Sequence, residues 1–219
     1  VVTLAAAKPE CLAQWLSRPV TRLLLQTRLT PNQVTAANLL VGLAALAGLA
    51  AGGSGWGAAG ALLLQGYYIL DHCDGEVARA RGLTSPAGFW LDRGVDVLVH
   101  TLLFPALAVA ESRRTGEMIP LWLGAVAAVA VAAIFATFAR QRIGAAPRPV
   151  RAMGRPAAAA VRAPRLRRIL KWLAAGDFSL LVLLVILLDL TRPLLWAAAA
   201  GAPLYLAAIF LLELEDPGG

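Results

Sequence analysis

Charge is what this sequence has least of. Only 15% of its 219 residues are Asp, Glu, Lys or Arg, whereas 59% are apolar and the mean hydropathy is +0.69. Soluble domains carry about one quarter charged residues, so a soluble globular chain is excluded and a polytopic membrane protein is indicated. Cysteine is nearly absent as well. Cys11 and Cys73 supply neither a disulfide framework nor a cysteine metal site. The chain shows no internal repeat of the kind that marks secondary transporters. The apolar run from Val1 to Ala7 is short and has no basic flank, so no signal peptide is expected.

The length holds about six spans of roughly 20 residues and leaves little over for a soluble catalytic domain. Residues 8–29 mix Trp15, Leu16, Leu23, Leu24 and Leu25 with Arg18, Arg22 and Arg28. They read as an amphipathic segment lying in the interface and broken near Pro19. Thr30-Pro31-Asn32-Gln33 then forms a helix start with a T-x-x-Q capping box. Spans are expected at about 34–51, 56–79, 86–110, 119–139, 174–190 and 193–212, with a charged loop from Glu111 to Glu117 between the third and fourth. Asp177 and Asp189 are expected to cap the fifth. The expected fold is therefore an all-α integral membrane protein with six transmembrane helices. Three segments follow: an interfacial segment 1–29, a membrane domain 30–213 with a basic stretch 140–171, and a tail 214–219.

The net charge is +7, and ten of the twenty basic residues lie between Arg140 and Lys171, beside hydrophobic spans. That distribution suits anionic membrane lipids or an anionic substrate and argues against nucleic acid. Six spans put both termini on one side. The basic segments share that side, which the positive-inside rule makes cytoplasmic.

Against this apolar background stand four aspartates, Asp71, Asp74, Asp92 and Asp96. A carboxylate inside a membrane costs about 2.5–3.5 kcal/mol on insertion scales, so four of them need a compensating partner. Residues three and four apart share a helical face, which pairs Asp71 with Asp74 and Asp92 with Asp96. If the turn centres near Leu83, an antiparallel hairpin brings Asp74 and Asp92 to about 14 Å from it and Asp71 and Asp96 to about 18–20 Å. Four convergent carboxylates suit hard divalent cations, and two such ions can clamp a phosphate. Gly75 and Gly88 allow close backbone approach, and Arg79 can pair with a phosphate or an aspartate. Ion-paired structural residues and a cation pathway are the competing readings.

The pattern Asp71-x2-Asp74-Gly75-x2-Ala78-Arg79-x8-Gly88-x3-Asp92-x3-Asp96 resembles the complete signature of the CDP-alcohol phosphotransferase family. Thr30-Pro31-Asn32-Gln33-Val34-Thr35 is similar to the family's entry into the first span. The resemblance implies transfer of a phosphoalcohol group from a CDP-alcohol, with CDP-diacylglycerol the expected donor, to an acceptor hydroxyl, releasing CMP. It implies that Asp71, Asp74, Asp92 and Asp96 hold two Mg²⁺ or Mn²⁺ ions and that Asp96 is the general base. It further implies that Asn32, Thr35, Gly75, Ala78, Arg79 and Gly88 contact the nucleotide, and that the protein is a homodimer.

Phe138-Ala139-Arg140-Gln141-Arg142 resembles, with two departures, the Tyr-x-Arg-Ala-Arg segment of members that use phosphorylated polyols. Arg140 and Arg142 are thus candidate acceptor-binding residues, or else a positive flank to the membrane. Glu76 resembles the inositol-phosphate-condensing branch. A polar, possibly phosphorylated, polyol is the expected acceptor. A CDP-amino-alcohol donor with a lipid alcohol acceptor, and a non-catalytic cation or lipid carrier, are the alternatives. His72-Cys73 does not make a zinc site, because adjacent helical residues diverge by about 100°. His100, one turn beyond Asp96, is expected to support it. Trp56, Trp90, Trp122 and Trp196 read as interface or packing aromatics.

Overall fold

The computed structural model describes residues 12–144 and 178–215, with side chains as far as Arg140 in the first stretch and Leu211 in the second. Every element among them is an α-helix. They are α1 Leu12–Leu25, α2 Pro31–Ala51, α3 Gly53–Arg81, α4 Pro86–Thr115, α5 Ile119–Gly144, α6 Phe178–Leu187 and α7 Thr191–Glu215.

The breaks between helices follow local chemistry. Thr30 and Gln33 exchange the two hydrogen bonds of the capping box, and Pro31 occupies the first turn of α2. Gly52 and Gly53, at φ 69° and 71°, separate α2 from α3 with almost no loop. Gly82 ends α3 in the left-handed region, and three residues later the Ser85 hydroxyl accepts from the Gly88 amide to cap α4.

Four helices are long and apolar enough to cross a membrane: α2, α4, α5 and α7. The expected count of six is therefore met in four described elements. α3 has 29 residues, about 44 Å, but its second half carries Asp71, Asp74, Glu76, Arg79 and Arg81. The described α6 has only 10 residues, about 15 Å. The expected loop from Glu111 to Glu117 is corrected. α4 continues to Thr115, because Arg114 donates to Glu111 at 2.7 and 3.0 Å and lets that buried carboxylate stay within the helix.

α1 departs from expectation at Pro19, through which it runs unbroken. Its inward face is the small polar stripe Ala13, Ser17 and Thr21, and its Leu12, Trp15 and Leu23 point outward. Ser17 and Thr21 both donate to the Glu76 carboxylate of α3, at 3.0 and 2.5 Å, so the helix is held on either side of the proline. Arg81 completes the attachment by donating to the Leu24, Leu25, Thr27 and Leu29 carbonyls at the end of α1 and just beyond.

α2, α3 and α4 form the central packing unit, with α5 against α4, α7 against α5, and α6 against α3. Tyr67, Leu49, Leu64, Leu103, Leu107 and Leu195 are fully buried in it. Small residues set the spacing, as is usual between membrane helices. A Cβ at Gly60 would lie 2.5 Å from the Leu49 nitrogen, so the α2 and α3 backbones touch at that level. Trp56, Trp122 and Trp196 stand more than half exposed on the outer surface, where apolar residues suit lipid.

Candidate functional site

The first turns of α2 and α4 and the last turns of α3 meet at one end of the central unit. The Thr35 hydroxyl of α2 donates to Asp74 Oδ2 of α3 at 2.6 Å, and the other oxygen of Asp74 accepts from the Gly75 amide at 2.5 Å. Here the antiparallel α3–α4 hairpin opens a cleft of about 190 Å³. Asn32, Thr35, Gly75, Ala78, Arg79 and Gly88 all line it, together with Asp74 and Asp92. Leu83 and Phe89, from the turn and the start of α4, add apolar wall.

Two glycines are there for space. A Cβ at Gly88 would come 3.2 Å from Asn32 Oδ1 and 3.1 Å from Ser85 Oγ. A Cβ at Gly75 would come 3.1 Å from Arg79 Nη1, because the guanidinium folds back over that glycine. Arg79 is also close enough to Asp74 to act on its charge.

Asp71 and Asp96 lie deeper and do not line the cleft. α3 and α4 both pack on α2, and across the gap between them Asp74 lies near Asp92 and Asp71 near Asp96. Each pair brings two acceptors together. Asp96 also receives Tyr67 Oη at 3.1 Å on Oδ1 and Arg93 Nη1 at 3.1 Å on Oδ2. Asp71 Oδ1 is buried with no hydrogen-bond partner. Among the described residues no three His, Cys, Asp or Glu side chains close around one point. The donors present are all oxygen, and one of them is unsatisfied, which fits a hard divalent cation.

His100 supports Asp96 as expected, through the backbone. Its Nδ1 lies 2.8 Å from the Asp96 backbone carbonyl, which only accepts, so that nitrogen carries the proton. Nε2 is then free to accept from Tyr68 Oη at 2.9 Å. The ring therefore supports the α4 backbone at Asp96 and does not touch the carboxylate. Cys73 is buried and donates to Ile69 O at 3.1 Å.

Glu76 does not face the cleft. Both its oxygens are taken by α1, so its chemistry here is that of a helix joint. Arg140 is exposed near the end of α5. That end lies toward the cleft, since Arg93 stacks over Phe135 of α5 at 5.9 Å. The Arg142 side chain and most of the basic stretch 140–171 lie outside the described residues, as does Asp177. Asp189 sits between α6 and α7 at φ 54°, with Arg114 Nη1 3.7 Å away.

Three residues at the site went unread in the sequence: Tyr67, Arg93 and Asn38. Tyr67 lies one turn before Asp71 on the same face, and Arg93 lies one turn before Asp96. Asn38 is the last polar residue of α2, one turn beyond Thr35, and everything after it in the helix is apolar.

The sequence profile of the CDP-alcohol phosphatidyltransferase family matches residues 28–210, which takes in every element from α2 to most of α7. The chain belongs to this family. Two curated relatives of this CDP-alcohol phosphatidyltransferase family member each carry the name bifunctional IPC transferase and DIPP synthase. The one from Aquifex aeolicus (strain VF5) is 42% identical over 82 residues, 37% of this chain and 18% of that protein. The one from Rubrobacter xylanophilus (strain DSM 9941 / JCM 11954 / NBRC 16129 / PRD-1) is 38% identical over 96 residues, 42% of this chain and 20% of that protein. The matched stretch thus spans about one fifth of each relative's length.

Proposed function

We propose that this protein transfers a phosphatidyl group from CDP-diacylglycerol to a hydroxyl of a polar polyol or polyol phosphate, releasing CMP. What supports the reading above all is one observation: the six residues expected at the nucleotide line a single cleft with Asp74 and Asp92. The family match over residues 28–210 supports the same reaction class.

Asp71, Asp74, Asp92 and Asp96 are the residues that would hold two Mg²⁺ or Mn²⁺ ions. Bound there, the ions would supply neutralisation of the pyrophosphate charge. The chain's own groups do the rest. Arg79 binds a phosphate oxygen, and Gly75 and Gly88 let the pyrophosphate approach the backbone. Asn32 and Thr35 hold the cytidine end. The acceptor oxygen attacks the phosphorus that bears the diacylglycerol, and the bond from that phosphorus to the CMP oxygen breaks. Asp96 takes the hydroxyl proton as it does so. Tyr67 and Arg93 each use one lone pair of that carboxylate, which orients it and leaves two lone-pair positions for a cation and the proton.

In this reading the membrane domain has six spans, with α3 as the second and a fifth that includes α6. The cleft faces the cytoplasm with both termini on that side, anionic lipids contact the basic stretch, and the protein works as a homodimer. Arg140 and Arg142 take an acceptor phosphate. The likeness of Asp74-Gly75-Glu76-Val77-Ala78-Arg79 to the inositol-phosphate-condensing branch makes an inositol phosphate acceptor the first to try.

The test is release of CMP from CDP-diacylglycerol by the purified protein with Mg²⁺ or Mn²⁺. It should be run against a panel of glycerol phosphate, inositol phosphate, inositol and serine, with the product lipids identified. No product from any CDP-linked donor would remove the proposal. Arg140→Ala should raise KM for a phosphorylated acceptor and leave it unchanged for inositol.

A further inference from the structure

Asn38 is wholly buried in α2, and neither its side-chain nitrogen nor its oxygen has a hydrogen-bond partner. A buried carboxamide without partners is destabilising, and an apolar residue of the same size would avoid that cost. The register of α2 against α3 fixes what Asn38 faces. Thr35 bonds Asp74, and a side chain at Gly42 would meet Tyr67 at 2.9 Å. Asn38 lies three residues beyond Thr35, and Asp71 three before Asp74. Counted from the other contact, Asn38 lies four before Gly42 and Asp71 four beyond Tyr67. In an antiparallel pair these steps bring Asn38 and Asp71 to the same level on facing sides. Asp71 Oδ1 is itself buried and unpartnered. Two unsatisfied groups therefore stand opposite each other at the floor of the site.

Among the described residues the acids lie in pairs and no three of them converge, so they alone do not close a cation site. At the inner level Asp71 and Asp96 are such a pair, and Asn38 is the polar side chain that faces it from the third helix.

We infer that Asn38 is an additional ligand of the inner divalent cation, its amide oxygen joining Asp71 and Asp96. An amide oxygen suits this place, because it adds a hard donor without adding a fifth negative charge. The inference rests on the metal-dependent reading given above, and it assigns to α2 a share in a site otherwise built on α3 and α4.

The test is titration of the full-length detergent-solubilised protein with MnCl₂ alone, following free Mn²⁺ by electron paramagnetic resonance. The Mn²⁺-induced rise in melting temperature gives a second readout. Asn38→Leu should weaken Mn²⁺ binding by about tenfold or more and shrink the thermal shift. Its metal-free melting temperature should stay equal or rise, since an unpartnered buried amide has gone, and this shows that the variant folds. Asn38→Asp keeps an oxygen donor and should bind Mn²⁺ at least as tightly as the wild type. Equal affinity in all three proteins, or equal loss in both variants, overturns the inference while leaving the metal-dependent reading intact. A wild type that binds no Mn²⁺ overturns both.

Discussion

Both ends of the central helix unit carry carboxylates, and they treat them in opposite ways. At the end away from the cleft, Glu111 is buried and held by two bonds from Arg114. Glu117 is likewise held by two bonds from Arg192, at 2.7 and 3.2 Å. At the cleft end, Asp74 lies near Asp92 and Asp71 near Asp96, while Arg93 bonds one oxygen of Asp96 and Arg79 approaches Asp74. An acid matched by an arginine at both oxygens stabilises a fold and has nothing left to bind. Acids set against each other raise the energy of the protein and leave oxygen lone pairs for a cation. Sequence spacing alone does not separate these two uses of Asp and Glu; their partners do.

The comparison is broken most sharply at Asp96. Asp96→Asn should lower turnover by about 10²–10⁴-fold, the range expected for loss of a general base, while equilibrium binding of the CDP-alcohol survives. Wild-type turnover in that variant would return Asp96 to the class of structural acids. Arg114→Leu tests the opposite end. It leaves Glu111 buried without its cation and should lower the unfolding midpoint, moderately because Arg114 is exposed. Unfolding in detergent measures this, and turnover per folded molecule should not change. An activity loss larger than the folded fraction explains would mean that the two ends are not independent.

Gly88→Ala should raise KM for the donor by about tenfold by crowding Asn32 and Ser85. Alanine is the better helix former by about 1 kcal/mol, so thermal stability should hold or improve as donor binding weakens. Tyr67→Phe is the mildest change. It removes one hydrogen bond to Asp96 and should slow turnover by about fivefold at unchanged donor KM. A change in donor KM instead would mean that Tyr67 shapes the cleft and does not tune the acid.

Local chemistry made much of this legible in advance. The capping box at Thr30, the turn after Gly82 and the pairing of four aspartates by depth all follow from rules that need only neighbouring residues and a helical rise. The structure departs where a distant partner decides. Pro19 ought to break α1, but Ser17 and Thr21 hold it to Glu76, more than fifty residues away. Glu111 to Thr115 looks like a loop by its charge, yet the Glu111–Arg114 pair lets α4 run through it. Tyr67 and Asn38 look like ordinary occupants of apolar helices, and only the facing helix reveals what they meet.

The contact between α2 and α3 at Gly60 has a consequence of its own. The backbones meet there with no side chain between them, so the distance between the two helices is fixed by the absence of a single carbon atom. Thr35 and Asp74 bond across the same pair of helices about 20 Å further along α3. A methyl group at Gly60 would press on the Leu49 and Ala45 backbone and push α2 from α3 without touching a single residue of the cleft.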